Sequence, residues 1–218
     1  RLLERCAALG VKLYPGNSLG YFGPLESRLR RSSTSRGHYF GCQAGVAALG
    51  IESDGKLKGC PSLGGAANNG GQWREHGLAA IWERAPQLAH NRGRGVDTLW
   101  GLCASCYYAP VCLGGCTSVS EPLLGRPGNN PMCHHRALEL DREGLRERIE
   151  PVSAAPGEPF DHGLFRLIRE HKDPELRARH GPVHIDEPRS SRAEQPTGAG
   201  TPIAPSMPIL PTWPTWPT

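Results

Sequence analysis

Cys103-Ala104-Ser105-Cys106-Tyr107-Tyr108-Ala109-Pro110-Val111-Cys112-Leu113-Gly114-Gly115-Cys116 gathers four of the chain's eight cysteines into one C-x2-C-x5-C-x3-C run. Cys133 follows after sixteen residues rich in Gly, Pro and Asn. Cys42 and Cys60 stand upstream, separated by twelve residues, Gly55 and four more, and Cys6 is alone. A [4Fe–4S] group needs ligands at its four iron corners, commonly thiolates from one short loop plus a distant cysteine. A C-x2-C turn points two sulfurs the same way. Glycines beside the ligands, here Gly101, Gly114 and Gly115, let backbone N–H groups approach the anionic sulfur and offset its charge.

Three other readings compete. Zinc favours four-ligand sites built from paired C-x2-C knuckles, and this chain has a single such pair. A disulfide framework calls for an even set and a secreted chain. Unrelated buried thiols would not cluster in this way. The spacing therefore favours iron–sulfur binding over each of them.

Composition bounds the fold. The 218 residues suffice for one modest domain or two small ones. Only 38 % of them are hydrophobic, while Gly contributes 28 and Pro 21. A small, loop-rich core of that kind usually needs covalent or metal staples. The formal net charge is +4 with scattered basic residues. The densest group, Arg28, Arg30, Arg31 and Arg36, reads as a solvated loop, and a nucleic-acid surface is normally more basic and more clustered. No apolar run is long enough to span a bilayer. Arg1-Leu2-Leu3-Glu4-Arg5 opens a helix pattern rather than a secretory signal. Neither nucleic acid nor membrane is an expected partner. The expected compartment is cytoplasmic, where cysteines read first as metal ligands. With no initiator Met, the chain is expected to begin mid-domain.

Working outward, residues 1–9 predict the end of an amphipathic helix stopped by Gly10, with Cys6 as a small core residue. Val11-Lys12-Leu13-Tyr14 predicts a short strand, making an αβ unit of a parallel sheet or barrel. Residues 24–41 predict a connector with a Ser- and Arg-rich stretch at 30–36. Ser53-Asp54-Gly55-Lys56 marks a hairpin within 43–60. Residues 61–72 predict a loop, 76–91 a helix kinked or shortened by Pro86, and 134–149 a charged helix. Thirteen of the 21 prolines lie in the last 68 residues. There Phe160, Phe165, Leu167 and Ile168 predict one docking helix, and disorder is expected from about residue 186. The Trp-Pro repeat at the end is polyproline-like and expected to be a solvated tail. The predicted class is α+β: a barrel remnant and connector over 1–39, a cysteine domain with a hairpin and short helices over 40–150, and an extension over 151–218.

The ordered pattern C-x9–15-G-x4-C, C-x2-C-x5-C-x3-C, then C, resembles the SPASM domain, the C-terminal auxiliary iron–sulfur domain of radical SAM maturases. All seven positions match over about residues 40–137. Pro15-Gly16-Asn17-Ser18-Leu19-Gly20-Tyr21 is similar in texture to the last part of that family's partial TIM-like barrel. The resemblance implies two auxiliary [4Fe–4S] clusters. Cys42, Cys60 and Cys116 would hold the first, and Cys103, Cys106, Cys112 and Cys133 the second. It also implies S-adenosyl-L-methionine in the full enzyme, with Asn17 at the edge of that site. The implied partners are a peptide or protein substrate and an electron donor such as a flavodoxin or ferredoxin.

Two departures qualify it. Some relatives carry a further cysteine shortly before the first, where this chain reads Arg36-Gly37-His38-Tyr39-Phe40-Gly41. The first cluster would keep an open iron site or take His38. The C-x3-C-x2-C run of the catalytic core is absent, so the fragment alone is expected to be inactive. The alternatives are a stand-alone ferredoxin-like module and a zinc-binding interaction domain. His134 and His135 read as polar cover or as ligands, Tyr107 and Tyr108 as shields of the second cluster, and Asp161-His162 as loop residues.

Overall fold

The computed structural model describes residues 1–16, 19–31, 34, 36–157 and 162–186. Among these the chain is a mixed α+β fold of short helices and two small antiparallel sheets. The expected first helix is α1 (Leu2–Ala8), and Gly10 takes φ +65° just after it. Cys6 on α1 is half-buried rather than a core residue. Val11–Tyr14 forms no strand, which corrects the expected αβ unit. Val11 and Tyr14 are exposed, and a lone extended segment has no ladder to stabilise it.

Residues 19–31 turn onto the cysteine region. In α2 (Glu26–Arg30) both end residues are buried and bond each other at 2.8 Å. Arg30 also donates to the Leu19 carbonyl at 2.8 Å, and Glu26 accepts from the Tyr39 N–H at 2.9 Å. Arg30 is therefore a buried strut and not part of a solvated loop.

The Asp54-Gly55 signal holds: β1 (Gly50–Ile51) pairs antiparallel with β2 (Lys56–Lys58), and Gly55 sits at φ +91°. The loop expected over 61–72 ends as a third strand, β3 (Asn69–Gln72), on β2. Its glycines hide it from pattern reading. A Cβ at Gly70 would meet Leu88 Cδ1 at 2.2 Å, so close approach, not side-chain alternation, selects the residue. The helix expected over 76–91 is three pieces, α3 (Trp73–His76), α4 (Leu78–Arg84) and α5 (Pro86–Ala89). Pro86 begins the last, where its missing N–H has no helical partner to lose. Leu57, Ile81 and Leu88 are fully buried around Ala85, each contributing roughly 1.5–3 kcal/mol of apolar burial.

The cysteine run carries a 3-10 turn (Gly101–Ser105) and α6 (Ala109–Cys112). Half of the expected loop after it is helical, as α7 (Thr117–Leu124). α8 (His134–Arg142) starts where expected, but Gly144 at φ +69° follows its end. Residues 145–149, expected as helix, belong to β4 (Leu145–Ser153). β5 (Leu164–His171) pairs with β4, α9 (Pro174–His180) is capped by the Asp173 carboxylate, and β6 (Val183–Asp186) pairs with β5. The β4–β5 register sets Arg146 opposite Glu170, Glu147 opposite Arg169 and Glu150 opposite Arg166. Opposite charges facing across a ladder stabilise a segment whose composition alone reads as helix-favouring.

Phe165, Leu167 and Ile168 lie on β5 rather than on a helix, with Leu167 and Ile168 buried. The boundary drawn at residue 150 falls inside β4. Asn17, part of the stretch at 30–36, Phe160, Asp161 and the tail from residue 187 lie outside the described residues. Among the described residues no helix is long and apolar enough to cross a membrane.

Candidate metal centre

Four local structures bring four thiols together. Cys103 lies on the 3-10 turn, Cys106 at its end, Cys112 at the end of α6 and Cys133 at the N-cap of α8. All four line one pocket with Phe22, Tyr108, His135 and Arg136. The space between these walls has room for about one water molecule. The thiols therefore converge, and a larger group would need them to rotate outward. Phe22 stacks on Tyr108 at 4.2 Å between centroids, and His135 meets Tyr108 edge-on at 4.9 Å. Tyr108 lines the pocket, whereas Tyr107 is 85 % exposed and is not part of its wall. His134 packs against Gly20 and Gly23 instead. His162 is exposed.

The turn from Cys112 to Cys116 requires its glycines. Leu113, Gly114 and Gly115 all take left-handed φ, at +51°, +75° and +75°. A Cβ on Gly115 would meet both Tyr21 and Asn130 at 2.9 Å. The Gly115 N–H donates to the Cys112 carbonyl at 3.2 Å and also favours the ionised form of the Cys112 thiol.

Burial is the first reason that Cys103, Cys112 and Cys133 hold their protons above the usual thiol range. Neighbouring sulfurs add to it. Cys112 feels Cys133, Cys103 and Cys106, and Cys133 feels Cys103 and Cys106. Arg136 pulls the other way on Cys103.

The second group is less complete. Cys116 donates to Cys42, which holds Cys42 below the thiol range and Cys116 above it. The Thr117 and Ala44 backbone amides also favour the ionised form of Cys42, and the Thr117 hydroxyl donates to Asn91 Oδ1 at 3.3 Å. Arg94 donates to Thr117 Oγ1 at 3.1 Å. Burial lowers the guanidinium pKa of Arg94, while Cys42 and Cys116 oppose that shift. The Cys116 N–H donates to Tyr21 Oη at 3.1 Å, and Tyr39 packs on Tyr21 at 4.5 Å. The Tyr39 hydroxyl is buried with no hydrogen-bond partner among the described residues.

Cys60 is brought near by backbone, through the Gly45 N–H donating to Gly59 O at 3.1 Å. Its thiol does not join the Cys42–Cys116 bond. His38 makes its hydrogen bond elsewhere. Its Nδ1 donates to the Tyr39 carbonyl at 2.8 Å, and its ring lines a cleft with Phe22, Tyr107 and Tyr108.

The donor sets can be tested against a metal group. Among the described residues no three or more His, Cys, Asp or Glu side chains surround a single ion position. A zinc ion would draw four sulfurs to about 2.3 Å of one point. By chemistry, four thiols with a guanidinium and no carboxylate in the wall are a soft donor set that suits zinc or a thiolate-held iron–sulfur group. In the second group the orphaned Tyr39 hydroxyl is a donor lacking an acceptor beside Cys42 and Cys116. All eight cysteines are free thiols.

Sequence reading missed Tyr21, Arg94, Thr117, Asn129, Asn130 and Arg136. The adjacent Asn129-Asn130, both fully buried, is the one of these with a composition signal, a polar pair in a loop beside a ligand. No family model, curated protein or solved structure matches this chain.

Proposed function

We propose that this chain is the auxiliary iron–sulfur part of a radical SAM enzyme that modifies a peptide or protein. The observation that carries the reading is the convergence of Cys103, Cys106, Cys112 and Cys133 on one pocket. When bound there, a [4Fe–4S] group supplies one-electron transfer. The chain's residues hold and insulate it. Four thiolates bind after losing their protons, which couples loading to pH. Phe22 and Tyr108 exclude water, and Arg136 offsets negative charge. Cys42, Cys116 and Cys60 form the second ligand set, with the Tyr39 hydroxyl as a hydrogen-bond donor to bound sulfur.

The S-adenosylmethionine chemistry belongs to a C-x3-C-x2-C core that these residues do not include. The electron donor is a flavodoxin or ferredoxin. Anaerobic incubation with iron and sulfide tests the binding function. The expected product shows the electron paramagnetic resonance signal of a reduced [4Fe–4S] group after dithionite. A chain that ignores iron and sulfide but takes up zinc contradicts the proposal.

A further inference from the structure

Arg136 is 1 % exposed, which makes it the largest fully buried side chain among the described residues. It lies in the wall of the four-cysteine pocket. Its guanidinium bonds Asn129 Oδ1 and both carboxylate oxygens of Glu147, the second at 3.0 Å, and approaches the Asn130 carbonyl at 3.5 Å. Glu147 is nearly buried too, and it is shared. From the facing strand, Arg169 donates to the same Oε1 at 3.1 Å from Nε and at 2.9 Å from Nη2. One carboxylate cannot balance two guanidiniums, so the triad carries a net charge of about +1. Arg136 and Glu147 are buried whereas the Arg169 side chain is 27 % exposed, so sharing Glu147 with a partly solvated cation leaves Arg136 incompletely balanced in a buried wall, which is costly unless something of opposite sign compensates it. The wall that Arg136 lines holds four thiols, and a [4Fe–4S] group with four thiolates is anionic. The charge left over on one side matches the charge expected on the other.

The geometry points to the Arg136–Glu147–Arg169 triad as the counter-charge that sets the reduction potential of the group held by Cys103, Cys106, Cys112 and Cys133. This rests on the iron–sulfur reading of that pocket. It gives the sheet of β4 and β5 a specific task. The sheet supplies Glu147 and Arg169, which fix the orientation and net charge of Arg136, a residue three positions beyond Cys133 on α8. Arg136 is a positioning residue in the electrostatic sense: it is a fixed charge in a water-poor wall, where a charge acts more strongly than at a surface. Arg136 favours and Glu147 disfavours the ionised form of Cys103, the pair of opposite signs that the triad requires.

The test is a dithionite titration of the full chain after anaerobic loading with iron and sulfide, with iron counted before and after. Arg136→Met removes the near positive charge and is expected to disfavour reduction about tenfold, which is 59 mV for one electron. Arg136→Lys keeps the charge and should restore most of that shift. Glu147→Gln leaves two uncompensated guanidiniums and should move the potential in the opposite direction. Arg169→Met, at a partly exposed position, should shift it the same way as Arg136→Met but less, and it carries the test if Arg136→Met does not fold.

Opposite signs for the Arg and Glu variants are the required result, because a merely structural role would move them together. Unchanged potentials, or shifts of one sign throughout, overturn the triad's role while leaving the iron–sulfur reading intact. A wild-type chain that takes up no iron overturns the reading and the inference together.

Discussion

The two cysteine groups differ in how the fold prepares them. Cys103, Cys106, Cys112 and Cys133 come from a continuous run plus one helix N-cap, and they converge on one walled pocket. Cys42 and Cys116 meet across the hairpin connection, while the Cys60 thiol stands outside their bond. The run holds its geometry by local turns, with Leu113, Gly114 and Gly115 in left-handed conformations. The other group depends on long-range packing through Tyr21, Tyr39 and Thr117. A site made by local turns is prepared by the chain itself. A site made by distant segments is completed by what it binds.

The largest expected effect breaks the pair of groups apart. Cys112→Ala should abolish loading of the four-thiol pocket and remove about four iron per chain. Cys60→Ala should remove iron only from the other group. Iron and sulfide analysis of the two variants reads the difference, and equal losses would mean that the groups do not fill separately. Next is Gly115→Ala. A left-handed φ and contacts at 2.9 Å to Tyr21 and Asn130 are expected to cost on the order of 2 kcal/mol. Denaturant unfolding of the metal-free chain measures this.

The pH dependence of the metal-free, reduced chain is smaller but fixed in sign. Cys103, Cys112, Cys116 and Cys133 all titrate above the usual thiol range in the fold. Unfolded thiols ionise near about pH 8.5, so the folded chain binds more protons above that pH. Stability contributed by these thiols is full below it and is lost as pH rises. Cys42 is shifted the other way. Its contribution is present above the unfolded thiol range and falls away as pH drops below it. Four thiols against one predict a lower urea midpoint at pH 10 than at pH 8. A higher midpoint would contradict the burial of these sulfurs.

The smallest effect is Tyr39→Phe. Removing an unsatisfied buried hydroxyl should stabilise the metal-free chain by about 1 kcal/mol. The same change should weaken retention of iron by the Cys42 group. Thermal unfolding and iron retention, measured side by side, separate the two.

Much of the candidate site was legible from the spacing of its cysteines. The C-x2-C turn, the glycines and Cys133 all read from the chain alone, and Asp54-Gly55 gave its hairpin. What did not read depends on neighbours far away in sequence. Arg136 looks like any basic residue of a charged helix until Asn129 and Glu147 close around it. Residues 145–149 look helix-favouring until Glu170 and Arg169 stand opposite Arg146 and Glu147. Val11–Tyr14 has strand-like residues but no partner. In each case tertiary pairing overrides local preference.

The central claim is that this chain holds two iron–sulfur groups and not isolated metal ions. Counting iron, acid-labile sulfide and zinc per chain after anaerobic reconstitution tests it most directly. The account predicts about eight iron and eight sulfide if both groups fill. One or two zinc without sulfide, retained through gel filtration, would contradict it.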